Sequence, residues 1–349
     1  MKKIGILIIL VFALMIIGVG CGSSKNISNP AEAKAVFDDE GKLPCLMAVS
    51  DDTYYVLTSR YGDDAYTFSA SDAMDKLNIV YKVENTSIWY LCADGDYAAW
   101  VEEYDNHYDY KVYNRNAGKV TTINTIESDE NNLQNKQMGI YNGKLYYTIS
   151  DRSGGKAKIE EYDLAGGGTG TLYQAESTGN GISTLEVKEN TLIAYVDSDA
   201  DTILKIDLES GGRERIEMPE KMDAVYTVSY DTRADKYALY YSAKDSGTED
   251  IGTFCPGDKK IKSLFTMGDE SYAYHDTIEI DNGHLYWVTQ LNTSGVIMEH
   301  YRLTDYDCDK DDVAENDSTF GFTLTDDSVY MMEFSDSINE VKIEKVKRR

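Results

Sequence analysis

Asn142-Gly143-Lys144-Leu145-Tyr146-Tyr147 and Asn282-Gly283-His284-Leu285-Tyr286-Trp287 are two copies of one phrase: a turn pair, one spacer, then an apolar or aromatic run. Asn-Gly accepts the positive φ of a tight hairpin turn, and the run after it reads as the next strand. Weaker copies begin at Asp51, Asp94, Glu189, Ala234 and Asp326. The first strand anchors fall at 54, 97, 145, 192, 237, 285 and 329, in steps of 43, 48, 47, 45, 48 and 44 residues. A period of about 46 residues is that of a four-stranded propeller blade.

Each copy holds four strand-like runs. In the third they are Met138–Tyr141, Lys144–Ser150, Ala157–Tyr162 and Gly170–Gln174. In the fourth they are Ser183–Val187, Thr191–Val196, Thr202–Asp207 and Arg213–Glu217. The seventh copy supplies only three, near Thr319–Leu324, Ser328–Phe334 and Asn339–Val346, and Ala33–Phe37 is the candidate for the missing one. A strand from the start of the chain would close the ring and remove its exposed edges. The expectation is an all-β, seven-bladed β-propeller closed by an N-terminal strand. Six or eight blades are the alternatives if a terminal copy is misread.

The phrases Glu161-Tyr162-Asp163-Leu164 and Lys205-Ile206-Asp207-Leu208, each followed by a glycine turn, complete the pattern. With them the body, residues 33–349, resembles the TolB-like or Tyr-rich repeat propellers of bacterial lipoproteins. That resemblance implies ligand or protein binding on a rigid ring and is nearly silent on activity.

The first residues read Met-Lys-Lys, an apolar run from Ile4 to Val19, then Gly20-Cys21. A basic start before such a run is an export signal. Val19-Gly20-Cys21 resembles the end of a bacterial lipoprotein signal, which implies residues 1–20 as signal peptide and a diacylglycerol on Cys21. The alternative is an uncleaved anchor. Residues 21–32 are small and polar and read as a flexible tether. Both readings place the protein at the cell membrane, on its extracytoplasmic face.

The formal net charge is −27. That balance repels nucleic acid and anionic headgroups and suits cations or basic proteins. The loops between second and third strands of successive blades are acidic: Asp63 and Asp64, then Glu103, Asp105 and Asp109, then Asp151, Asp197, Asp199 and Asp201, then Asp245, Glu249 and Asp250. They are expected at one end of the channel. Asp197, Asp199 and Asp201 alternate as in a Ca²⁺ loop, although Thr202 stands where an EF-hand has glycine. Asp305, Asp307, Asp309 and Asp311 alternate too, with Lys310 at the glycine position. No other cofactor is implied.

Tyr104, Asp105, His107 and Tyr108 form an aromatic, acidic loop suited to a sugar or peptide. Tyr272 and Tyr274 are read the same way, and His284 as an exposed strand residue. Most of the 28 tyrosines fall in strands and are read as packing between blades. Cys45, Cys92, Cys255 and Cys308 lack zinc spacing. They are read as buried thiols, or as neighbouring-blade pairs whose pairing the sequence leaves open. No nucleophile motif or Ser/His/Asp order is present. The functional expectation is a non-enzymatic binding or scaffold module for a protein, peptide or glycan. The alternatives are an envelope glycan hydrolase or lyase, and a structural part of a membrane complex.

Overall fold

The computed structural model describes residues 25–26, 30–37, 43–59, 65–74, 77–127, 137–149, 156–176, 181–197, 201–244, 246–268, 271–291, 300–334 and 341–348. These residues form 29 strands and no helix. The strands group into seven antiparallel sheets that follow one another along the chain.

Blade 1 is Leu43–Ser50, Thr53–Ser59, Ala65–Ser71 and Asn78–Glu84. Blade 2 is Ser87–Asp94, Tyr97–Tyr104, His107–Asn114 and Lys119–Glu127. Blade 3 is Met138–Tyr141, Lys144–Ile149, Lys158–Asp163 and Thr169–Gln174, and blade 4 is Gly181–Lys188, Thr191–Asp197, Thr202–Asp207 and Arg213–Glu217. Blade 5 is Met222–Asp231, Lys236–Ala243, Glu249–Phe254 and Lys262–Thr266. Blade 6 is Ser271–Asp281, His284–Leu291, His300–Asp307 and Asp312–Asp317, beside whose last strand Lys25–Asn26 runs parallel. Blade 7 is Thr319–Leu324, Ser328–Phe334 and Val341–Lys347, with Pro30–Phe37 antiparallel to the last of these.

The hairpin phrase does what its chemistry dictates. Asn142 and Gly143 have φ of 49° and 72°, and Asn282 and Gly283 have 53° and 77°. The second and third strands are the most buried in blades 1 and 2: all of Tyr55–Thr58 and Ala98–Glu102 are inside, as are Thr67–Ser71 and Tyr110–Tyr113. The fourth strands are largely exposed. Burial that decreases outward is expected of sheets packed face to face around an axis.

Seven apolar clusters fill the seven interfaces between blades. Tyr55, Leu57 and Phe68 of blade 1 meet Ala98, Trp100 and Tyr113 of blade 2. The corresponding cluster between blades 7 and 1 holds Tyr330, Met332 and Ile343 with Met47 and Val56. Tyrosine serves here better than phenylalanine because the ring fills the interface while the hydroxyl reaches the next blade. The Tyr55 hydroxyl donates to the Gly95 carbonyl at 3.0 Å, and that of Tyr110 to the Thr148 carbonyl at 3.4 Å. Gly139 is required by close approach, since a Cβ there would stand 2.4 Å from Val187 Cβ in blade 4.

Candidate functional site

The two ends of the ring are built differently. One end carries the turns between first and second strands, and these are latched to their neighbours. Ser50 Oγ in blade 1 accepts from Gly95 N of blade 2 at 2.8 Å. Asp231 of blade 5 accepts from Gly283 N of blade 6 at 2.6 Å and from Arg233 N and Ala234 N of its own turn. Arg348 crosses from blade 7 to ion-pair with Asp281 and donates to the Thr325 and Asp281 carbonyls at 3.0 and 3.1 Å.

His284 belongs to this end, and it is not the exposed strand residue the sequence suggests. It is 8% exposed, with Nδ1 2.7 Å from Asp305 and Nε2 3.8 Å from Asp307. The same contacts absorb the Asp305–Asp311 alternation. Asp307 accepts from Asp309 N, Lys310 N and Lys310 Nζ, and the Lys310 ammonium first among these holds its carboxyl at about 2.

At the other end lie the loops between second and third strands and the connections between blades. Just below it the first strands of every blade but the third share a defect. The register slips between Pro44 and Leu46, Trp89 and Leu91, Ile182 and Thr184, Val225 and Thr227, and Thr319 and Gly321. A longer slip separates Ala273 from Ile278 in blade 6. Each is a bulge at the same level of its blade, and a bulge bends its strand and re-aims a side chain. Tyr90, the extra residue in blade 2, sits at φ 54°. A bulky side chain seldom adopts that region.

Under the bulges the channel holds a cavity of about 80 Å³, lined from blades 2 to 7 by residues including Tyr90, Gln137, Glu186, Thr227, Glu279 and Phe322. That is room for a few waters or one small polar group. Glu186 accepts from Ser229 Oγ at 2.6 Å and Tyr230 N at 2.9 Å. Desolvation nevertheless pushes its carboxyl up to about 7, with Glu279 adding to the shift against the pull of Lys188. Burial raises Glu279 as well. Lys188 Nζ lies 2.9 Å from Asp281 and 3.6 Å from Glu279, and donates to the Ile280 carbonyl at 2.7 Å. Burial opposes its charge, but the surrounding carboxylates outweigh burial and hold the ammonium above its ordinary pKa. The cavity can therefore hold a polar or charged group or a proton. Its lining includes no histidine or cysteine.

The residues singled out from sequence separate into several fates. Tyr104 and His107 stack at the tip of blade 2, ring centroids 4.6 Å apart and planes 11° from parallel. The Tyr104 hydroxyl donates to buried Glu102 at 2.8 Å, and His107 Nδ1 is 2.7 Å from Asn106 Oδ1. Asp105 is exposed between them. Tyr108 is not a loop residue. It is 2% exposed and packs among Val101, Met138 and Tyr147, so its ring offers no surface to a ligand.

Asp197 is exposed at the end of its strand, and Asp201 accepts from the Tyr195 hydroxyl at 3.0 Å. Asp199 lies outside the described residues, as do Asp63, Asp64, Asp151, Asp245 and Cys21. Among the described residues no three His, Cys, Asp or Glu side chains converge as metal ligands. Glu249 accepts from the Tyr240 hydroxyl, and Asp250 is buried against Ser263 and Thr266. Tyr272 and Tyr274 fall in a strand, and their side chains lie outside the described residues. All four described cysteines are free thiols, so the paired alternative does not hold in this structure.

Sequence reasoning missed the channel group of Glu186, Lys188 and Glu279, and it missed Trp89. Superimposing the repeats would have found the carboxylates, since both stand six residues before their blade's strand anchor, at 192 and 285.

No protein-family model matches the chain, and no curated protein matches it in sequence. Solved structures do. The β-propeller domain of the Trilobed protease from Pyrococcus furiosus is 10% identical with a TM-score of 0.57, over 88% of this chain and 95% of that one. YCF48 bound to D1 peptide is 9% identical with a TM-score of 0.56, over 93% and 98%. The acylaminoacyl peptidase of Pyrococcus horikoshii is 11% identical with a TM-score of 0.52, and 88% of this chain covers only 52% of it. Likeness at such identities shows the fold alone: the chain is a seven-bladed β-propeller.

Proposed function

We propose that the protein is a lipid-anchored, extracytoplasmic binding module that presents the loop end of its propeller to a peptide or protein ligand. The observation that carries this reading is the asymmetry of the ring. The turn end is latched shut by inter-blade hydrogen bonds and ion pairs. The loop end has the bulges, the polar cavity beneath them and exposed Asp105 and Asp197. YCF48, a propeller of similar fold, is seen with a bound peptide. The peptidases resemble this chain over only about half their length, and their activity is not carried across.

The anchoring part of the proposal rests on Cys21 after an apolar leader. Replacing Cys21 with Ser is expected to move the protein out of the membrane fraction, and retention there would reject lipidation. The binding part is tested by photo-crosslinking amino acids placed at Asp105 or at Asp326, on opposite ends of the ring. Adducts from position 105 and none from 326 are expected. Adducts only from 326 would overturn the reading.

A further inference from the structure

We infer that Trp89 is the anchor of the loop end and captures a cationic side chain, lysine or arginine, of a peptide ligand. This rests on the binding reading above and names the chemistry it selects.

The chain has three tryptophans. Trp100 and Trp287 are 0% and 4% exposed, whereas Trp89 is 41% exposed. Its position follows from the bulge. Trp89 stands opposite Val101 and Leu91 opposite Trp100, so Tyr90 is the extra residue, in a left-handed conformation and lining the channel cavity. The indole beside it is at the loop end of the strand. Its N–H donates to Glu103 Oε2 at 2.5 Å, which fixes the ring's edge against a carboxylate.

The surroundings decide what such a ring is for. An apolar docking surface would gather other large hydrophobic side chains around the tryptophan. Among the described residues the other exposed ones, Ile79, Val80, Phe265 and Val313, lie instead on the fourth strands of blades 1, 5 and 6. At the loop end Asp105, Asp197 and Asp223 are exposed, in a chain of net charge −27. An indole face beside a carboxylate, in a negative field, attracts a cation through both the ring quadrupole and the charge. Arginine and lysine fit that description, and an acidic or neutral segment does not.

Because the other two tryptophans are buried, the solvent-exposed part of the intrinsic fluorescence belongs to Trp89. The test titrates the full chain in detergent with three probes: a hexapeptide of alternating Gly with Lys and Arg, its Gly/Glu counterpart, and a chitooligosaccharide. The basic peptide is expected to perturb the emission saturably and more weakly as salt is raised. Trp89→Phe should weaken its binding at least tenfold, about 1.4 kcal/mol, with an unchanged melting temperature, and Glu103→Gln by a smaller factor. Equal binding of the basic peptide to wild type and Trp89→Phe would overturn the inference, as would perturbation by the sugar alone. If position 105 yields adducts while Trp89→Phe changes nothing, the inference fails and the binding reading stands. If position 105 yields none, the binding reading fails with it.

Discussion

At the turn end of the ring, Asp231, Asp281, Asp305 and Asp307 are each engaged by a backbone N–H, a histidine or a cation. At the loop end, Asp105 and Asp197 stand in solvent. Neither end is uniform, since Asp51, Asp52 and Asp326 are exposed at the turn end and Asp201 and Asp250 are engaged at the loop end. A carboxylate that caps a neighbouring blade's turn is part of the closure of the ring, and one left hydrated sets the field a ligand meets. Counting acids along the chain therefore does not locate a site. The partners of each acid do.

The comparison breaks most visibly if the ends respond alike to substitution. Asp231→Ala strips acceptors from Gly283 N, Arg233 N and Ala234 N. Gly283 N is the buried donor of the three, and a buried donor left without an acceptor costs about 1–3 kcal/mol, so the urea midpoint should fall by an amount of that order while ligand affinity per folded molecule is unchanged. Asp105→Asn, fully hydrated, should stay within about 0.5 kcal/mol of wild type and lower affinity for a basic peptide. A large stability loss at position 105 would erase the distinction.

A smaller effect sharpens the view of the channel between the ends. Glu186 titrates near 7 when folded and in the ordinary glutamate range when unfolded. Between those values the folded protein holds more protons, so this group's contribution is present at low pH and lost as pH rises toward 7. The loss should be on the order of 2–3 kcal/mol, read as a lower urea midpoint at pH 8 than at pH 5. Glu186→Gln should flatten that slope. An unchanged slope would mean the cavity does not desolvate Glu186.

The smallest effect concerns thiols. Burial pushes Cys45 up to about 12 and raises Cys92 further, while Cys255 faces a pocket beside Lys236. Thiolate is the reactive form. Alkylation of the native protein at pH 8 should therefore label Cys255 well before Cys45 or Cys92, as peptide mass mapping would show.

What the sequence reveals of this molecule follows from the range of its signals. A turn is a local event, so Asn142-Gly143 and Asn282-Gly283 announce their hairpins. The strands of the third and fourth repeats lie within two residues of expectation. The fate of a side chain depends on the neighbouring blade, which no local pattern encodes. Tyr108 reads as a loop aromatic until Met138 and Tyr147 of blade 3 cover it. His284 reads as exposed until Asp305 and Asp307 flank it. Nothing local singles out Trp89, which the slip at Tyr90 leaves at the rim.

Amide hydrogen exchange of the full chain, with and without the basic hexapeptide, asks directly which end of the ring receives a ligand. Slowed exchange confined to residues 85–91 and 102–107, with the turns at 142–143 and 282–283 unaffected, is the expected pattern. Protection centred on those turns, or none at saturating peptide, would contradict the assignment of binding to the loop end.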